Sequence, residues 1–170
     1  VVSMLKSKDG KLWVGTFNGG LYCMNGSQVR SYKEGTGNAL ASNNVWALVE
    51  DDKGRIWIAS LGGCLQCLEP LSGTFETYTS NNSALLENNV TSLCWVDDNT
   101  LFFGTASQGV GTMDMRTREI KKIQGQSDSM KLSNDAVNHV YKDSRGLVWI
   151  ATREGLNVYC LLYTSPSPRD

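Results

Sequence analysis

One hexapeptide pattern occurs four times along the chain and dictates what it can fold into. Lys11-Leu12-Trp13-Val14-Gly15-Thr16 recurs as Arg55-Ile56-Trp57-Ile58-Ala59-Ser60, then as Thr100-Leu101-Phe102-Phe103-Gly104-Thr105, and finally as Leu147-Val148-Trp149-Ile150-Ala151-Thr152. Its aromatic, at positions 13, 57, 102 and 149, repeats after 44, 45 and 47 residues. A second motif keeps the same period: Leu40 to Val45 matches Leu85 to Val90 and Leu132 to Val137. Two motifs sharing one period mark a repeat architecture, in which each unit buries its faces against its neighbours.

Each unit reads as four short strands. In the second, Val45–Glu50 is an apolar, β-branched run closed by the turn Asp51-Asp52-Lys53-Gly54, whose glycine can adopt positive φ. Arg55–Ser60 is continuously apolar, as a strand covered on both faces must be. Gly62-Gly63 reverses the chain into Cys64–Glu69, and Pro70-Leu71-Ser72-Gly73 leads to an alternating outer strand, Thr74–Tyr78. No apolar stripe of helical length appears. The expected fold is all-β: a partial β-propeller of about three and three-quarter four-stranded blades, at about 1–39, 40–84, 85–131 and 132–159. A sandwich or β-solenoid also has many short strands, but a sandwich would not repeat a motif every fourth strand.

A chain of 170 residues with 41% hydrophobic and 19% charged residues can build a substantial core. Its formal charge of −1, without a basic stripe, argues against nucleic acid or anionic lipid as partner. No apolar run reaches the roughly 18–20 residues of a membrane helix. The chain starts at Val1 and reads as cut from something longer.

The unit resembles the two-component-regulator propeller repeat, Val-x-x-Ile-x-x-Asp-x-x-Gly-x-x-Trp-Ile-Gly-Thr-x-x-Gly-Leu. Val137, Val140, Asp143, Gly146, Trp149, Ile150, Ala151, Thr152, Gly155 and Leu156 follow it closely. Val45 to Leu65 follows with Ala59 and Ser60 as mild variants, and Val1 to Leu21 also fits. The third unit is weakest, with Asn99 for the turn glycine and Phe102 for tryptophan. Quinoprotein and Asp-box repeats share only the Asp-x-x-Gly-x-x-Trp part, and neither kelch nor WD signatures occur. The resemblance implies a piece of the periplasmic sensor region of a hybrid two-component histidine kinase, whose parent is expected to be a homodimer anchored in the inner membrane. Its implied ligand is an oligosaccharide, and its implied partners are the remaining blades and the kinase; no cofactor is implied.

Residues 160–170, Cys-Leu-Leu-Tyr-Thr-Ser-Pro-Ser-Pro-Arg-Asp, resemble a translated sequencing-library adapter. The repeat agrees. Two places after Cys23, Cys67 and Thr112 stand Asn25, Glu69 and Asp114, whereas Cys160 stands two after Val158. The native part is therefore expected to span 1–159, with 160–170 a non-native tail.

Catalytic and metal signatures are missing from the native part. Cys64-x-x-Cys67 lies on a strand, where odd spacing is expected to send the thiols to opposite faces, as small hydrophobes without a metal. His139, the one histidine, matches Ala47 and Ser92 and reads as a core or channel-lining residue. The turn acids lack calcium-loop spacing.

Propeller topology places the loops between second and third strands on the same face as the incoming connections. The ligand-binding candidates on that face are Phe17, Asn18, Gln108, Arg153, Glu154, Asn44 and Asn89. Trp46 joins them, because it stands where other units have Val2, Thr91 and Asn138. Trp95 stands where others have Lys6, Glu50 and Lys142, and is expected to be exposed. The leading expectation is a ligand sensor without catalytic activity. The alternatives are a propeller enzyme of lyase, sialidase or quinoprotein type, and a non-signalling scaffold.

Overall fold

The computed structural model describes residues 1–123 and 132–160. The first sheet comprises β1 (Ser3–Lys6), β2 (Leu12–Gly15), β3 (Leu21–Asn25) and β4 (Gln28–Tyr32); the second, β5 (Val45–Glu50), β6 (Ile56–Ser60), β7 (Cys64–Glu69) and β8 (Thr74–Tyr78). The third holds β9 (Val90–Asp97), β10 (Thr100–Thr105), β11 (Val110–Asp114) and β12 (Ile120–Lys122). The fourth holds β13 (Val137–Lys142), β14 (Leu147–Thr152) and β15 (Gly155–Cys160). Every sheet is an antiparallel meander in chain order. These are propeller blades, as the repeat predicts.

Inner strands pack in sequence, β1 on β5, β5 on β9 and β9 on β13. Three apolar cores fill the joints: Trp13 and Leu21 meet Leu48 and Ile58; Trp57 and Leu65 meet Leu93 and Phe103; Phe102 and Val110 meet Val140 and Ile150. No core among the described residues joins the fourth blade back to the first. The blades form an open arc.

The repeat motif has a physical reason at each place. In the second blade the Asp51 carboxylate accepts the amides of Lys53 and Arg55, both at 2.9 Å, and the Trp57 indole N–H at 3.0 Å. Asp143 serves Arg145, Leu147 and Trp149 in the same way. The small residue after the apolar pair lets the next blade approach: a Cβ on Gly15 would lie 2.8 Å from Val45 Cγ1, and one on Gly104 would lie 2.6 Å from Val137 Cγ1. The following threonine locks the next hairpin, since Thr16 and Thr105 hydroxyls each donate at 2.7 Å to the carbonyls of Gly20 and Gly109. Those glycines hold φ of 84° and 78°, where a side chain is disfavoured.

The second blade breaks that last rule. Cys64 replaces the glycine and still adopts φ 72°, and the Ser60 hydroxyl beside it is buried without a partner. This conformation disturbs strand alternation at Cys64. Cys64 and Cys67 both join the core shared by the second and third blades, so the expectation of opposite faces fails. Both thiols are free and buried.

Two other expectations are corrected. Trp95 is half-buried rather than exposed, and its indole N–H donates to the Glu50 carbonyl at 2.9 Å across the blade joint. Lys142 occupies the same place one blade later and reaches the Val96 carbonyl at 2.6 Å. His139 is exposed rather than in a core, because no further blade covers the side where Ala47 and Ser92 lie in inner blades. Of the tail, Cys160 pairs through its backbone with Leu147, and 161–170 lie outside the described residues.

Candidate functional site

The loops predicted to share a face do so by interlocking across blades. The Asn18 amide donates to Asn44 Oδ1 at 2.7 Å, and one blade on the Gly62 amide donates to Asn89 Oδ1 at 2.7 Å. The backbone carbonyls of the same asparagines accept from Leu61 and Ala106. Asn44 and Asn89 therefore hold neighbouring loops in place. In the third repeat of this pattern Ala136 replaces the asparagine, and Glu87 takes the Ser107 amide instead.

Phe17, Asn18, Gln108, Arg153 and Glu154 are all exposed along this rim, in loops of the first, third and fourth blades. Hydrogen bonding brings together Asn18 and Asn44; Gln108 and Glu154 are tied by their amides to Thr105 and Thr152 of their own hairpins. Trp46 sits at a β-bulge, where pairing skips from Val45–Ser60 to Ala47–Ala59. A bulge re-aims a side chain out of the strand's alternation. Trp46 is half-buried, and its indole nitrogen is shielded from solvent without a hydrogen-bond partner. The equivalent Thr91 uses its hydroxyl to reach the Val137 carbonyl at 2.7 Å.

Among the described residues, the four thiols are all shifted away from the thiolate form. Burial pushes the Cys67 thiol up to about 12 and that of Cys64 to about 11. Burial raises Cys23 and Cys94 as well.

The sequence reading missed a cleft at the opposite end of the first blade joint. It has a volume of about 480 Å³ and is lined by Lys11, Trp13, Asn25, Gln28, Arg30 and Tyr32, among others. A smaller cleft of about 230 Å³ adjoins Ser7, Trp13 and Glu50. Trp13 lines both, and its buried indole nitrogen lacks a partner because Ser7 stands where Asp51 and Asp143 stand elsewhere. Comparing residues place by place between units, rather than motif by motif, would have exposed it.

Residues 1–18, 39–62 and 131–154 match the family described as two component regulator propeller. Those three segments are similar to two-component regulator propeller repeats. The matched segments belong to the first, second and fourth units. A curated relative, Histidine kinase P4 of Formosa agariphila, is 26% identical over 173 residues, which cover 95% of this chain and 12% of that protein. Among solved structures, the extracellular domain assigned to hybrid two component system BT3049 of B. thetaiotaomicron superposes with TM-score 0.77 at 19% identity, over 91% of this chain and 21% of that one. The corresponding domain of BT4673 from the same organism also gives 0.77, at 18% identity, over 93% and 22%. At such identities these likenesses show the fold. The chain spans a small part of each of these longer proteins.

Proposed function

We propose that this chain is a stretch of an extracytoplasmic, ligand-sensing β-propeller from a two-component signalling protein, periplasmic in location and non-catalytic itself. Its ligand is a glycan-derived oligosaccharide, and its signal passes to a histidine kinase in the rest of the parent protein. The observation that carries this reading is the regulator-propeller repeat in three blades, together with a relative bearing a histidine kinase name over 95% of the chain. The exposed aromatic, amide and charged side chains on one rim support recognition of a sugar by stacking and hydrogen bonding. Sequencing the genomic locus beyond residue 159 tests the reading. A membrane-spanning segment followed by kinase domains is the expected result, and an open reading frame ending in a catalytic hydrolase or lyase domain would overturn it.

A further inference from the structure

The first two joints of the arc act as each other's control. Around the tryptophan at the second joint lie Arg55, Trp57, Glu76, Tyr78 and, from the third blade's outer hairpin, Arg118. The ladder register puts Glu76 opposite Cys67, and Arg30 opposite Cys23, so Arg30 occupies the place of Glu76 in the first blade. By the same register Lys11 replaces Arg55, and Gly73 replaces Arg118. Arg118 adopts φ 63° and lays its guanidinium 4.8 Å from the Trp57 ring centre, closing the second joint. Gly73, at φ 71°, has no side chain to do so, and a Cβ there would point to within 3.6 Å of the Arg30 guanidinium.

The first joint is thus open where the second is lidded, and it lacks the carboxylates at two places, although Asp9 and Glu50 line the adjoining smaller cleft. Glu76, bonded by the Tyr78 hydroxyl at 2.8 Å, has become Arg30, and Asp51 has become Ser7. Two cations line the 480 Å³ cleft. Lys11 is met by Asp9 at 3.3 Å; Arg30 lies 5.2 Å over the Tyr32 ring, and no carboxylate among the described residues pairs with it. Asn25 and Gln28 add exposed amides, and Pro70 adds an apolar wall. The volume falls within the range of small-ligand sites.

We propose that this cleft between the first and second blades binds a carboxylate-bearing sugar ring, whose acid group takes the place that Glu76 fills one blade later. Arg30 receives the carboxylate with Lys11 beside it, and the amides of Asn25 and Gln28 meet hydroxyls. A charge-assisted pair at an otherwise unpaired guanidinium is the strongest contact available there. The choice of a sugar rests on the sensor reading; the preference for an anion rests on the cleft alone.

Calorimetry on the full chain, using a uronic-acid disaccharide, its carboxyl-reduced neutral counterpart and inorganic sulfate, tests the assignment. The acidic disaccharide is expected to bind, with the neutral one weaker by about tenfold or more. Arg30→Glu restores the second joint's carboxylate, and Gly73→Arg restores its lid. Each is expected to weaken acidic-sugar binding by about tenfold or more while circular dichroism stays unchanged. Equal binding of both sugars, affinity untouched in both folded variants, sulfate binding as tightly as the acidic sugar, or no binding at all would each overturn the proposal. A neutral oligosaccharide bound without regard to Arg30 would overturn the cleft while leaving the sensor reading intact. A locus without a kinase would overturn the sensor reading and leave the cleft result standing.

Discussion

The Asp143 carboxylate accepts the Trp149 indole N–H at 2.9 Å, joining the two ends of the Asp-x-x-Gly-x-x-Trp part of the repeat across its turn. Asp51 and Trp57 repeat the bond at 3.0 Å, whereas in the first blade Ser7 leaves the Trp13 indole unmatched. The aspartate is therefore a structural acceptor that serves turn amides and tryptophan together, and its replacement carries a definite cost.

Asp51→Ala removes the acceptor of two amides, the Arg55 guanidinium and a fully buried indole. Stability should fall by about 2–4 kcal/mol, since buried donors left unsatisfied lose their full desolvation energy. Urea unfolding followed by tryptophan fluorescence measures it, and a loss under about 1 kcal/mol would show that the motif aspartate is dispensable.

The pH dependence follows from Asp143. The Trp149 hydrogen bond, with Arg145 and the turn amides, holds its carboxyl well below the usual carboxylate range. A depressed folded-state pKa stabilises the fold above the unfolded-state value, near 4, and that contribution is lost as pH falls below it. Thermal midpoints should drop from about pH 4 downward, and Asp143→Asn should flatten the part of the drop due to this group. An unchanged acid limb in that variant would refute the assignment.

Thiol labelling should discriminate between native and unfolded protein. Cys23, Cys64 and Cys67 are buried, with thiols raised by burial. Mass-spectrometric mapping after brief alkylation at pH 7.5 is expected to find these three unmodified in native protein and modified in denaturant. Rapid native labelling of Cys64 would mean that its left-handed turn opens readily.

On the loop rim, Trp46→Ala or Arg153→Ala should weaken oligosaccharide binding by about 1–3 kcal/mol if ligand engages this face. Calorimetry with the parent domain reads the change. Unaltered affinity in both would take the site away from these rim residues, to the opposite cleft or to other blades of the parent, or remove it.

The ends of the arc carry side chains whose counterparts are core elsewhere. Tyr141, Leu156 and Val158 are 58%, 62% and 49% exposed, in the places of Val49, Leu65 and Cys67. Met4, Met24 and Val29 are likewise exposed where the second blade buries Leu48 and Leu68 and half-buries Phe75. These uncovered faces, next to the outer edge of β15, which no strand among the described residues pairs, should drive self-association. Light scattering with size exclusion is expected to show oligomers, and Leu156→Lys with Val158→Lys should reduce them. A monodisperse wild-type monomer would contradict the open arc.

Much of this architecture was legible along the chain. Period-2 alternation and the 44- to 47-residue repeat located the second blade's strands to within one residue. The rim asparagines were legible as loop residues, but their bonds to Asn18 and Gly62 were not, because those partners lie a whole blade away. Trp95 misled for the same reason: its acceptor, the Glu50 carbonyl, belongs to the preceding blade.

The sequence by itself determined the strands, their order and, away from the left-handed Cys64 and the bulge at Trp46, the side of its own sheet on which strand side chains point, because a strand's geometry repeats every two residues. Only the tertiary structure decided which of those sides is covered. Val158 and Cys67 hold one place in the repeat, yet one is half exposed and the other buried, because coverage comes from the next sheet and not from the strand itself. The cleft at the first joint arose likewise. Arg30 and Gly73 are unremarkable residues in their own hairpins, and they leave an opening only where two blades meet.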